Sequence, residues 1–207
     1  KSAGDLELEI ETQLRVGLGQ SMSGEFEFGI ATLRDARARA VDAAHHRSVI
    51  RATINLTALH VGTGDLAAAL HHAELGRDLA KSLGAPRSWQ THAVAWHIVA
   101  LVAAGDLHGA SQLFGDASSP PAAAFTAVLD IAGAELAWVG GDLDRALSLL
   151  GPVTLEPQDH LGWWLRQSLV RHAVAVAQTG AVDDRAHLDL TLDLAEFWPD
   201  SLFLRLA

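Results

Sequence analysis

Histidine is the residue type in this sequence that could most readily do chemistry, since the chain has eleven of them and no cysteine. His45-His46, His60 and His71-His72 could supply nitrogen ligands to a metal ion. Helical metal sites use ligands four residues apart, as in His-Glu-x-x-His, or Glu-x-x-His pairs. Neither motif occurs, and adjacent histidines on a helix point to different faces. We therefore expect surface and interface histidines, with no metal and no other cofactor; a pH-sensing role has no feature in its favour.

The other reactive residue types also lack a catalytic pattern. No Gly-x-x-x-x-Gly-Lys-Ser/Thr loop cradles a phosphate, and no Gly-x-Ser-x-Gly motif presents a nucleophile. Asp65, Asp106 and Asp142 each follow a glycine, which indicates helix caps. The acids Glu7, Glu9 and Glu11 alternate on the first helix and are expected to face solvent. With no nucleophile or base constellation, we do not expect an enzyme.

The elements that carry these residues follow an internal repeat. A glycine, an acid, an apolar residue, two spacers and a small residue recur at Gly24, Gly64, Gly105 and Gly141, with a weaker copy at Gly180. The glycines are 40, 41, 36 and 39 residues apart. Such near-constant spacing is typical of a stack of similar structural units.

The repeated pattern has the chemistry of a helix–turn–helix corner. Glycine ends the first helix because it adopts the left-handed conformation without a steric penalty. The acid caps the second helix, and the small residue five positions after the glycine lets the two helices approach closely. Apolar residues recur at helical spacing on both sides of each corner, and no segment alternates with period two. We predict an all-α fold of about ten helices in five antiparallel pairs.

The Gly-acid-apolar-x-x-Ala corner resembles that of tetratricopeptide repeats, over nearly the whole chain. The resemblance implies a right-handed superhelical stack, a single repeat domain over residues 1–207. The period is nearer 40 than 34, and the usual closing proline is absent. This longer repeat, with helical runs such as residues 67–80, resembles the repeat region of large ATP-binding LuxR-type transcriptional regulators. There an ATPase module precedes the repeats and a DNA-binding helix-turn-helix follows, so we expect this chain to be a fragment of a longer protein.

A ligand would be expected on the concave face, which the first helices of the pairs line. Counting back 13, 10, 6 and 3 residues from each of the last four corner glycines gives a mostly apolar face. Its polar or anchoring positions are Arg51, His92, Glu135, Trp138 and Gln167. Such a face suits an amphipathic helix or a small organic effector. The alternative is that the same positions pack against neighbouring helices and leave no groove.

The aromatic and C-terminal residues point to packing. Large aromatics at helical spacing usually fill gaps between helices, which we expect of the six tryptophans except Trp138 and one of Trp163-Trp164. The segment from Leu192 to Leu206 is apolar. Because terminal repeats need polar ends, it predicts either a further repeat or a homodimer formed through the C-terminus.

Composition and charge narrow the class of partner. The net charge of −10 repels a phosphate backbone, so we expect no direct nucleic-acid contact, and no apolar run is long enough to cross a membrane. The sequence thus favours a cytoplasmic sensor scaffold of a bacterial transcriptional regulator. Its partner would be a protein, a flanking domain of the same chain or a small effector. The alternative is a stand-alone adaptor without a transcriptional role.

Overall fold

The computed structural model describes residues 3–117 and 126–153, together with 163, 166–171, 173, 174 and 177. These residues form helices and the turns between them, without a strand. The helices are α1 (Ala3–Met22), α2 (Phe26–Asp42), α3 (His46–Thr63), α4 (Leu66–Ser82), α5 (Arg87–Ala103), α6 (Leu107–Ala117), α7 (Thr126–Val139) and α8 (Leu143–Leu150). The described residues between 163 and 177 are helical as well. The all-α prediction is therefore confirmed.

The helices pack as successive pairs. Each odd-numbered helix packs against the even-numbered helix that follows it. The odd-numbered helices also contact one another in order: α1 with α3, α3 with α5, and α5 with α7. The described residues thus contain four helix pairs, and neighbouring pairs also meet where α2 packs against α3, α4 against α5 and α6 against α7. The predicted fifth corner at Gly180 and the segment 192–206 lie outside the described residues.

Each pair turns at the glycine that the repeat identifies. Gly24, Gly64, Gly105 and Gly141 all adopt a positive φ, between 77° and 84°, where a side chain would be strained. Asp65, Asp106 and Asp142 then cap the next helix, each accepting from the backbone N–H three residues later, at 3.2, 2.9 and 3.1 Å. Glu25 at the first corner makes no such bond, because its side chain is one methylene longer than the residues that cap well.

The small residue five positions after each glycine is enclosed by its partner helix. Ala69, Ala110 and Ala146 are completely buried. At the first corner the residue is Gly29, and a Cβ built there would overlap the Ser21 hydroxyl and lie 2.6 Å from the Gly17 carbonyl oxygen. The predicted close approach of the paired helices is therefore confirmed.

The main core runs along the stack and is centred on α5. It joins apolar side chains of α3, α4, α5, α6, α7 and α8 with Trp163, Val170 and Val174. Smaller clusters, such as that of Leu14, Leu33 and Leu56, hold α1 and α2 against α3. Among the helices described, none is both long and apolar enough to span a bilayer.

The contact at Gly29 predicts opposite effects for two Gly→Ala substitutions. Gly29→Ala is expected to lower the free energy of unfolding by about 1–3 kcal/mol, because α1 and α2 must move apart. Gly19→Ala, in α1 with no atom within 4 Å of the new Cβ, is expected to raise it by about 0.5–1 kcal/mol. Urea unfolding followed by circular dichroism measures both. Equal stability of the two variants would show that α1 and α2 do not depend on this contact.

Candidate functional site

The five predicted site residues lie on the odd-numbered helices or on the segment after α8. Arg51 is on α3, His92 on α5, Glu135 and Trp138 on α7, and Gln167 among the helical residues between 163 and 177. Gln167 is buried and the other four are half-buried. Of the five, only His92 and Glu135 belong to one connected group of side chains.

The apolar positions of the same face are closed by packing. Ala58 is half-buried and Ala177 is exposed. The remaining apolar positions are all buried: Ile54, Val61, Ala95, Val99, Val102, Val128, Ile131, Val170 and Val174. Neighbouring helices, rather than an open groove, cover these nine side chains.

His92 lies at the centre of the most connected group. Its Nε2 atom accepts hydrogen bonds from two indoles, Trp96 Nε1 at 3.1 Å and Trp163 Nε1 at 2.9 Å. Trp96 is one helical turn further along α5, so helix geometry alone brings it to His92. Trp163 is 71 residues away in sequence and reaches His92 only through the packing of the last helical residues against α5.

The two hydrogen bonds from the indoles determine which nitrogen of the neutral His92 imidazole carries the proton. A nitrogen that accepts a hydrogen bond carries no proton, so the proton of a neutral His92 is on Nδ1. Protonating Nε2 would turn this acceptor into a donor facing two indole N–H groups. Trp96 and Trp163 are 6% and 2% exposed, so little water is available to replace the lost acceptor. The site therefore requires a neutral imidazole.

A buried ion pair extends this group to α7. Arg166 donates through Nη1 to Glu135 Oε2, and the two side chains are 3% and 13% exposed. The guanidinium carbon of Arg166 also lies 5.3 Å from the centre of a Trp96 ring, which itself lies 4.8 Å from Trp163. Burial lowers the pKa of Arg166, and the carboxylate of Glu135 opposes that shift. We call His92, Trp96, Glu135, Trp163 and Arg166 the His92 network.

The His92 network connects three parts of the chain. His92 and Trp96 come from α5, Glu135 comes from α7, and Trp163 and Arg166 come from the residues after α8. Hydrogen bonds, an ion pair and a cation–π contact join side chains of these three parts, which fixes their relative placement. Chemically, the network is therefore a positioning device.

The other predicted positions make separate contacts. Arg51 pairs with Glu11, which also accepts from the Ser48 hydroxyl at 2.8 Å, so this group links α1 with α3. Glu11 is therefore half-buried, and the expectation that it faces solvent is wrong because α3 supplies it with a cation. Gln167 donates to the carbonyl of Val153 at 3.4 Å.

The tryptophans largely follow the sequence-based expectation. Trp96 and Trp163 are buried, while Trp89 and Trp138 are half-buried and pack against the main core. Trp164 and Trp198 lie outside the described residues. The expectation that tryptophans fill gaps between helices therefore holds for Trp96 and Trp163.

Arg166 is the main residue of the site that the sequence patterns did not identify. It is one of two arginines in the largely apolar segment 161–179, and that placement was the available signal, because a buried cation requires a partner. The other, Arg171, lies five residues later and donates to the carbonyls of Leu150 and Val153 at 2.7 and 3.0 Å. These two arginines attach the helical residues after 163 to α7 and to the end of α8.

The described residues include no group of three or more histidine, aspartate or glutamate side chains arranged to hold a metal ion. A scan against protein-family models finds no match to this chain, and a search of the curated proteins finds no similar sequence.

Replacing His92 tests its role as the acceptor of hydrogen bonds from two buried indoles. His92→Phe keeps an aromatic ring but leaves two buried indole N–H groups without this acceptor, so the free energy of unfolding should fall by about 2–4 kcal/mol. Urea unfolding followed by tryptophan fluorescence and circular dichroism measures the loss. His108→Phe on the exposed side of α6 is the matched control and should change it by less than about 0.5 kcal/mol. Similar losses in the two variants would contradict the role given to His92.

A double-mutant cycle tests the ion pair between α7 and the last helical residues. Glu135→Leu alone leaves a buried guanidinium without its carboxylate and should cost about 3–5 kcal/mol. Adding Arg166→Met removes that charge as well, so the double variant should be more stable than Glu135→Leu alone. The free energy of unfolding of all four proteins in urea gives the coupling. Additive losses would show that the two residues do not act as a pair.

Proposed function

We propose that this chain is a protein-interaction and sensor scaffold, built as a tetratricopeptide-like, right-handed superhelical stack of helix pairs. The observation that carries the proposal is the same corner at Gly24, Gly64, Gly105 and Gly141, with the first helices in serial contact. Repeats joined in this way contact chiefly their neighbours, so small changes between pairs add up along the stack. A scaffold of this kind responds to partners through its curvature.

The polar links between helices suggest how curvature is set. Arg51 and Glu11 join the first two pairs, and the His92 network joins α5 and α7 to the helical residues after 163. A partner helix or small effector that binds one arrangement more tightly shifts the population toward it. Since the apolar positions of the first helices are packed, the proposal requires an arrangement of the stack that opens this face. The ligand then contacts it around Arg51, His92, Glu135, Trp138 and Gln167.

We further propose that the stack is the sensor region of a bacterial, cytoplasmic transcriptional regulator of the LuxR type. Support comes from the length of the repeats and from the resemblance of the corner sequences. The partners would be flanking ATPase and DNA-binding modules. The net charge of −10 supports leaving DNA contact to another module, because this region repels phosphates. No catalytic step is assigned to this region.

The coding DNA on both sides of residues 1–207 gives a direct test. An upstream Gly-x-x-x-x-Gly-Lys-Ser/Thr loop and a downstream helix-turn-helix are expected if this is the repeat region of a regulator. A start codon just before Lys1 and a stop codon just after Ala207 would overturn the regulator assignment. A free-standing adaptor would then be the remaining form of the scaffold proposal.

The curvature mechanism predicts a signalling phenotype for a variant that still folds. Arg51→Gln in the full-length protein removes the ion pair between Arg51 and Glu11, which links the first two helix pairs. The two side chains are 28% and 24% exposed, so the fold should survive the substitution. We expect the output of the regulated promoter to change about five- to tenfold, the lower end of the range of a typical allosteric coupling. A transcriptional reporter measures this, with Arg15→Gln on the exposed face of α1 as control. Equal outputs from Arg51→Gln, the control and the wild type would contradict the mechanism.

A further inference from the structure

A second group of ionisable side chains lies where α2, α3 and α4 meet. The His60 and His72 rings stack with their centres 5.4 Å apart at 15°, and His71 lies edge-on to His72 at 5.2 Å. Arg34 Nη2 lies 3.4 Å from His60 Nε2. Arg37, one turn after Arg34, donates through Nε to the Thr53 hydroxyl of α3 at 3.0 Å. We call Arg34, Arg37, His60, His71 and His72 the basic cluster.

The basic cluster is buried at one end and open at the other. His60 is 2% exposed and His72 is half-buried, whereas Arg34 and His71 are exposed. The Nδ1 atom of His72 is buried and has no hydrogen-bond partner among the described residues. The basic cluster therefore combines an exposed guanidinium with a buried imidazole nitrogen that has no hydrogen-bond partner among the described residues.

The groups whose charges act on the pKa of His72 are all basic. They are His60 of α3, His71 of α4, and Arg37 and Arg34 of α2. Burial first, and then these four groups, lower the pKa of His72 to about 4. The acid at this junction is Asp65 at the start of α4, whose Oδ2 lies 3.4 Å from His60 Nδ1. In a chain of net charge −10, positive groups are concentrated here.

We propose that the basic cluster is a binding site for a tetrahedral oxyanion, the phosphate or sulfate group of a small molecule. Two guanidinium groups match the charge of a dianion, and guanidinium donors suit such oxygens. A tetrahedral oxyanion has four oxygens that can accept from donors carried by α2 and α4, whereas a carboxylate offers only two oxygens. The unpartnered Nδ1 atom of His72 becomes a donor to the anion once the ring is protonated.

The site couples anion binding to proton uptake. In the free chain His72 is neutral above about pH 4. A bound anion favours the imidazolium and raises the pKa of His72, so binding takes up a proton at pH values between the free and the bound pKa. Affinity for the anion should therefore rise as the pH falls through that interval.

Sulfate is the probe because it stays divalent between pH 4 and 7. The whole chain is titrated with sodium sulfate, with chloride adjusted to hold ionic strength constant, and imidazole signals are followed by NMR. The His72 signal is assigned by its loss in His72→Gln. We expect sulfate to raise the pKa of His72 by about one unit or more, the effect of an opposite charge in contact. Inorganic phosphate at pH 7 should compete with sulfate, and acetate should not.

The Arg34→Gln variant distinguishes sulfate binding at a specific site from general electrostatic attraction of sulfate to the protein. Arg34 is exposed, so the fold should survive; in the free protein the pKa of His72 should rise because a neighbouring positive charge is gone. Sulfate should bind this variant about fivefold or more weakly and add a smaller further shift. Arg15→Gln on α1 removes the same charge elsewhere and should bind sulfate as the wild type does.

Three outcomes would overturn the proposal. One is a pKa of His72 that sulfate leaves unchanged. Another is equal weakening by Arg34→Gln and Arg15→Gln, which would mean that sulfate responds to overall charge. The third is acetate binding as tightly as sulfate, which would exclude a preference for tetrahedral dianions.

Discussion

The close approach of two helices at each corner is the constraint on which the structure depends. A glycine at positive φ turns the chain, and the residue five positions later is no larger than alanine and is buried. Dispersion and burial at this short distance hold each pair together. A large side chain at Ala69, Ala110 or Ala146 would separate the helices and misplace every contact that the pair makes with its neighbours.

Between the pairs, the chain uses polar links as well as apolar packing. Apolar side chains bury area without fixing one relative rotation, whereas an ion pair or a doubly accepting imidazole is satisfied in few arrangements. The Arg166–Glu135 pair has a desolvation cost, so its main contribution is to specify how α7 meets the last helical residues. The His92 network therefore fixes the relative placement of helices that apolar packing alone leaves adjustable.

Charge is distributed unevenly over this acidic chain. Acids at three corners cap helices, where their charge is stabilised by the positive end of the helix dipole. Basic groups gather at the junction of α2, α3 and α4, where burial and then the neighbouring basic side chains lower the pKa of His72 to about 4. The stack thus has two chemically distinct polar groups, the His92 network and the basic cluster.

Local sequence patterns were enough to predict the all-α class, the corners, the aspartate caps and the small residues at helix contacts, because each depends on residues within one turn or one pair. The register on the first helices also identified His92 and Glu135. Three contacts are visible only in the folded chain: Trp163 donates to His92 across 71 residues, Arg51 pairs with Glu11 across 40, and Arg34 lies beside His60. Helical periodicity identifies which face is buried, but the side chain opposite each residue is set by the angle and offset between helices, which no local pattern encodes.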